Sequence, residues 1–384
     1  MKRILTALAL ALLLCTNISA HSTADAHKSI EEIEGEMYSY SGIEDTLDYI
    51  PSGAQSLLGD LDLESPDYKA VSETFSMGGI INTSLGLLRG LIPSAAKNFS
   101  SLIGILILVT IVNALKSTVI PPSLGEVLDL AGIACLSGSA FMLIKDCFDQ
   151  TRLLVDNLCV YMRSMIYVMT SFYALGGNVA AASASGTGLT IILNVIQSLN
   201  NSFLIPLLEM CFALLMVTGI SNSSLNLSGV SRLLRSVFTW TLTFVMTALT
   251  TILAFQTYLA SSADTVAARG IRFAAASFVP VVGGLVGEAV RTVMASLQAV
   301  KAVSGVFGIA VIAMSVLPCL LYVLVSKLYF KLASAIAAVL GINAEAAFLA
   351  ETEGLLNLAL GLMFSASLVF ILAITIFINT SAAI

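Results

Sequence analysis

The chain has 384 residues, of which 57% are hydrophobic and 11% charged, with a mean hydropathy of +0.94. A soluble domain carries about 25% charged residues, so this composition predicts an integral membrane protein. A net charge of −6 and a pI near 5.0 argue against a nucleic-acid partner. The two histidines, His21 and His27, leave the rest of the chain without imidazole for catalysis or metal binding.

Charge is unevenly placed. Residues 1–20 carry +2, residues 21–75 carry −11, and residues 76–384 carry +3. Lys2 and Arg3 followed by the apolar run Ile4–Leu14 read as a secretory signal peptide over 1–20, with Ile18-Ser19-Ala20 as a cleavage site. An uncleaved anchor is the alternative. A lipoprotein reading at Cys15 is weaker, because bulky Leu14 precedes it. Residues 21–98 then form an acidic, exported N-terminal region. Ser29-x-x-Glu32 is a possible capping box for a short helix, and Pro51 and Pro66 punctuate the chain after it. Ile80, Ile81, Leu85, Leu88, Leu91 and Ile92 recur at helical spacing up to Pro93, as a surface-lying helix or a lead-in to the first span.

Six apolar segments come next: 99–115, 127–144, 203–220, 237–260, 302–326 and 355–378. The fold class is therefore all-α, a polytopic helical membrane protein with about five to seven spans. With the head outside, Lys116, the pair Arg232 and Arg235, and the pair Lys327 and Lys331 all fall on the cytoplasmic side, as the positive-inside rule requires. Arg152, Arg163, Arg269, Arg272, Arg291 and Lys301 then fall on the outer side, so those segments either fold back into the membrane or the count is off by one span.

The same segments carry a pattern. Ser171-Phe172 followed by Gly176-Gly177 resembles Ser277-Phe278 followed by Gly283-Gly284. Each precedes a similar short helix, 194–199 in one and 292–297 in the other. This suggests a parallel internal repeat, 127–230 and 231–384, with 99–126 as a first span and loop. The stretches 164–175 and 187–199 are each about half a membrane long, and Pro280, Gly283 and Gly284 break the second copy. They read as re-entrant hairpins, or else as interfacial helix pairs.

Reactive chemistry is sparse. There is no phosphate-binding G-x-x-x-x-G-K-[ST], no G-x-S-x-G elbow and no pair of mid-membrane aspartates. The six cysteines include no C-x-x-C pair, so neither a disulfide framework nor a metal site is expected. Nothing points to a cofactor or to an enzyme. Glu209, six residues into its span and near Pro206, is the one candidate intramembrane carboxylate, as a proton or cation site or as a helix contact. Glu288 and Arg291 read as an i,i+3 ion pair. Gly283-x-x-x-Gly287 and Gly86-x-x-x-Gly90 allow close helix approach.

Arg269-x-x-Arg272-Phe273, then Phe278-Val279-Pro280-Val281-Val282-Gly283, Thr292-Val293, Gly305-Val-Phe-Gly308-Ile-Ala and Phe330-Lys331-Leu332-Ala333, resemble the stage III sporulation protein AE family of endospore-forming bacteria. The order of signal peptide, acidic head and polytopic body agrees with it. The resemblance covers most of the chain and is sharpest over about 265–340. It implies a membrane subunit of a channel or secretion-like complex joining mother cell and forespore, needed for late forespore gene expression. Implied partners are a secretion-type ATPase, small membrane proteins, ring-forming proteins and a forespore-side anchor. The family supplies no catalytic residues. It lends weight to Arg269, Arg272, Phe278, Pro280 and Gly283, and none to Glu209. The rival function is a stand-alone secondary transporter working through the broken helices and Glu209.

Overall fold

A computed structural model describes residues 46, 48–51, 77–116, 122–175, 179–220, 228–278 and 283–379, with the side chains of 256–294 largely outside the description. From residue 77 onward the described residues, apart from the turn at 340–342, are helical, in seven α-helices and one π turn. These are α1 (Met77–Lys116), α2 (Pro122–Leu175), α3 (Val179–Leu199), the π turn (Asn200–Leu204), α4 (Ile205–Ile220), α5 (Ser228–Phe278), α6 (Gly283–Val339) and α7 (Asn343–Asn379). Six of these runs are long and apolar enough to cross a membrane: Phe99–Lys116, Leu130–Ala174, Ser185–Gly219, Gly229–Phe255, Gln298–Val339 and Asn343–Ile378.

Local chemistry sets several boundaries. Pro122 opens α2, where its missing N–H costs nothing and its fixed φ suits the first turn. Gly341, at φ 80°, closes α6. The N–H of Ile342 donates to the Ala337 carbonyl (3.1 Å) and that of Gly341 to the Ala338 carbonyl (3.2 Å), a Schellman cap that satisfies two orphan carbonyls and turns the chain straight into α7. The hairpin so formed is the spine of the bundle. Along it Gly305 packs against Ile378, Lys327 pairs with Glu353 (3.8 Å), and Ser334 donates to the Ala346 carbonyl (2.9 Å).

The other helices assemble on this hairpin. Gly308 meets Met165, and the Cys319 thiol donates to Gln150 (3.7 Å), so α2 runs antiparallel to α6. Gly186 of α3 sits on Thr170 of α2, and Asn201 reaches Asp156, so α3 folds back antiparallel along α2. Arg235 of α5 pairs with Glu351 of α7 (2.6 Å), and the α5 stretch 242–251 lies beside Ser365, so α5 and α7 are parallel. Helix α1 flanks the bundle, with Val109 on Gly132 and Phe99 stacked on Tyr329 at 4.9 Å. Phe148, Tyr161, Phe238, Phe307, Phe330 and Phe370 are fully buried between these layers.

Two expectations change here. The half-length hairpin helices are not separate elements. Residues 164–175 are the last turns of α2, which has 54 residues and is therefore about 80 Å long. Residues 187–199 belong to a run that continues through the π turn to Ile220. In the second copy, α5 (51 residues) runs unbroken to Phe278 and α6 (57 residues) starts at Gly283. The segments 127–144 and 203–220 are likewise parts of longer helices. The physical reason is that no proline or glycine interrupts 145–163, and a continuous helix satisfies every backbone group that a mid-membrane break would expose. The arginines that fell on the outer side in the sequence reading are parts of these long helices. Arg152 and Arg163 sit within α2. Lys301 lies within α6, near the start of its apolar run Gln298–Val339, 2% exposed, over the rings of Phe377 (4.3 Å) and Tyr173 (5.1 Å).

Candidate functional site

The middle of α2 is where charge enters the apolar run Leu130–Ala174. Asp149, Arg152, Asp156 and Arg163 are spaced by three, four and seven residues, which places them on one face of the helix. On the other faces Leu154, Val155, Leu158, Tyr161 and Met162 are buried in the core, and buried Cys159 lies beside the polar face, its thiol donating to the Leu193 carbonyl of α3 (4.0 Å). The polar face packs edge to edge with α3 and the start of α4, and together they form a seam.

The seam is a chain of side-chain hydrogen bonds. The Arg163 guanidinium donates to Gln197 and to Asn194 (3.3 Å). Gln197 in turn donates to the Asp156 carboxylate (3.1 Å), and Asn201 donates to the same carboxylate oxygen (2.8 Å). Two amide N–H groups thus satisfy one Asp156 carboxylate oxygen, and Arg163 is linked to it through Gln197. Further along, Arg152 lies 3.9 Å from Glu209.

The break in helical regularity sits in this seam. Pro206 has no N–H to give to the carbonyl four residues back, which is Ser202. The helix widens just before it, and the Ile205 N–H donates to the Asn200 carbonyl instead, five residues back. Asn200, at the start of the widened turn, is 1% exposed. Its amide donates to Asn201 (3.0 Å), while its side-chain carbonyl oxygen has no hydrogen-bond partner. An unmet buried acceptor costs about 1–3 kcal/mol. The Nε of Arg152 is a second buried atom without a partner.

The seam is open on its outer side. Asn157, Asn194, Ser198, Ser202 and Glu209 are exposed, and Arg152, Asp156, Arg163, Gln197 and Asn201 are half-buried. Toward the hairpin turn the polar line continues through Thr170, Ser171, Thr187 and Thr190. Each charge of this kind facing lipid at mid-helix costs about 2.5–3.5 kcal/mol. A second hydroxyl line lies on α5, where Thr243, Thr247, Thr250 and Thr251, with Ser365 of α7, border a groove of about 450 Å³. Those threonine hydroxyls donate to the carbonyls one turn back, so they cost little to place in an apolar layer.

The predicted site residues scatter. Glu209 is brought into the seam, exposed and beside Arg152. Phe172 is buried in the core, 6.0 Å from Phe377. Gly176, Gly177 and Pro280 lie outside the described residues. Arg269, Arg272, Phe273 and Phe278 occupy the last turns of α5, with side chains outside the description, and Gly283 and Gly284 open α6. The family-like Gly305 and Gly308 are packing positions, pressed on Ile378 and on Met165 and Ile374. Sequence reasoning missed Asp156, Gln197, Asn200 and Asn201, because it read 164–175 and 187–199 as half-length helices and did not pair the charges of 145–163 with the second of them. Their helical spacing, and the run Asn200-Asn201-Ser202 ahead of Pro206, were the signals available. Among the described residues no group of three or more His, Cys, Asp or Glu could hold a metal, and Cys135, Cys147, Cys159, Cys211 and Cys319 are free thiols.

A bundle of this kind, with six crossing-length helices and a polar seam at their middle, defines a polytopic helical membrane protein. Residues 67–381 match the stage III sporulation protein AE family, and the chain belongs to that family. Its role accordingly falls in stage III of sporulation. No curated protein and no solved structure matches the chain.

Proposed function

We propose that the protein is a membrane-embedded subunit of the channel or secretion-like complex that joins mother cell and forespore, and that the α2/α3–α4 seam is its share of a hydrophilic route. It sits in the mother-cell membrane around the forespore, with its acidic head exported toward ring-forming proteins and a forespore-side anchor. Its cytoplasmic end serves a secretion-type ATPase. It acts as a conduit and scaffold, without catalysis.

The observation that carries this reading is the outward-facing polar line from Glu209 and Arg152 to Thr187 and Thr190. Hydrocarbon does not favour such a face, whereas water or a neighbouring subunit's polar groups satisfy it. Basic residues support the orientation. Arg235 and Lys327 pair with Glu351 and Glu353 near the start of α7, at the end of the bundle where α1 finishes.

Single cysteines introduced at Asn157, Asn194 and Ser198, with Tyr167 and Trp240 as exposed apolar controls, test the route in sporulating cells. The polar positions are expected to react with a membrane-impermeant thiol reagent while the controls stay unlabelled. Equal silence at all positions refutes the route. The sporulation role is tested separately by deleting the gene, which is expected to leave engulfment normal and the late forespore reporter silent. Normal spores refute that role.

A further inference from the structure

We propose that Asp156 and the π turn form a binding site for a monovalent alkali cation. Asp156 supplies a carboxylate inside an apolar helical run, held only by the neutral amides of Gln197 and Asn201. Arg163 spends its guanidinium on the amide oxygens of Gln197 and Asn194 and leaves the carboxylate without a direct cationic partner. Next along the seam, Asn200 is 1% exposed and its side-chain carbonyl oxygen meets no donor. Its own amide is bonded to Asn201, whose amide is bonded to Asp156, so the three side chains form one continuous cluster.

Among the described residues the Asn200 oxygen meets no donor, and the amides that hold Asp156 both bond one of its two carboxylate oxygens, beside the widened turn ahead of Pro206. Hard cations take oxygen ligands of this type. Widened turns, and ionisable residues at membrane depth, are where such ions bind. A single carboxylate, with Arg163 one amide away, matches one positive charge and disfavours two. The same arginine repels the ion and keeps its binding weak and reversible. Glu209 is already engaged with Arg152 and lies outside the cluster. This inference concerns the chain alone, and the route reading can fail without affecting it.

The test uses the full-length protein in detergent micelles. Its unfolding temperature is measured in sodium, potassium or N-methylglucamine chloride at equal ionic strength. A saturable rise of a few degrees in sodium or potassium over N-methylglucamine is expected, because an ion that binds only the folded state stabilises it. Asp156→Asn and Asn200→Ala are expected to lose the rise, and Glu209→Gln to keep it. Arg163→Gln is expected to lower the half-saturating concentration several-fold. Equal unfolding temperatures in all three salts overturn the proposal, as does a rise that survives in Asn200→Ala. If Asp156→Asn fails to accumulate, the wild-type salt series and Asn200→Ala still decide.

Discussion

Two glycines on the α6/α7 hairpin give opposite outcomes for the same substitution. Alanine at any helical glycine gains about 1 kcal/mol from lower backbone entropy in the unfolded chain. At Gly361 a new Cβ meets nothing within 4 Å, so that gain stands alone. At buried Gly305 a new Cβ falls inside the contact radius of the Ile378 side chain, and Ile374 lies 3.6 Å away. Relief requires Ile378 to leave its rotamer, or α6 and α7 to part, and overpacking of this kind costs about 1–3 kcal/mol. Gly305→Ala is therefore expected to range from neutral to about 2 kcal/mol destabilising, and Gly361→Ala to stabilise by about 1 kcal/mol. Thermal unfolding of the two purified variants beside the wild type measures both. Equal stabilisation by the two substitutions refutes the close α6–α7 approach at Gly305 and the packing role assigned to that glycine.

Pro206→Ala restores an N–H that can reach the Ser202 carbonyl and removes the ring clash, which allows a regular α-helix there. The substitution is expected to leave membrane accumulation unchanged while sporulation fails, scored by heat-resistant spore counts beside immunoblots. Full sporulation removes any functional role for the π turn. Gly341→Ala forces an alanine to φ 80°, a left-handed conformation that costs about 1–2 kcal/mol. It is expected to lower the unfolding temperature, whereas Gly341→Asn is expected to lose less, because asparagine tolerates that conformation.

Much of the architecture was legible in one dimension. A chain that is 57% hydrophobic, with long uncharged runs such as 302–326 and 355–378, has to be a helical membrane protein, since in hydrocarbon a helix satisfies its backbone within the segment. The grouping of Lys116, Arg232, Arg235, Lys327 and Lys331 came from the same reasoning, and it agrees with the directions of α1, α5 and α6. Glycine and arginine motifs over 265–340 were enough to indicate the family, because they were matched as a pattern whose role in packing did not need to be known.

The candidate site was not legible, because it is made by pairing. Asp156 is 45 residues from Asn201 and 41 from Gln197, and only the antiparallel return of α3 along α2 brings them within hydrogen-bond reach. Read singly, Arg152 and Arg163 fell on the outer side and left open whether their segment folds back into the membrane or changes the span count. With Asp156 and Arg163 hydrogen-bonded to side chains of α3 and the π turn, and Arg152 beside Glu209 of α4, part of the cost of those three charges is offset and the helix continues. Glu209 shows both sides of this. Its type and depth could be read from the chain, but its partner Arg152 and its exposure came from the packing of α4 on α2. Composition determined the solvent this protein lives in, because burial in lipid depends on summed apolar length. Tertiary structure decided which polar groups survive there, because that depends on which partner lies within about 3 Å.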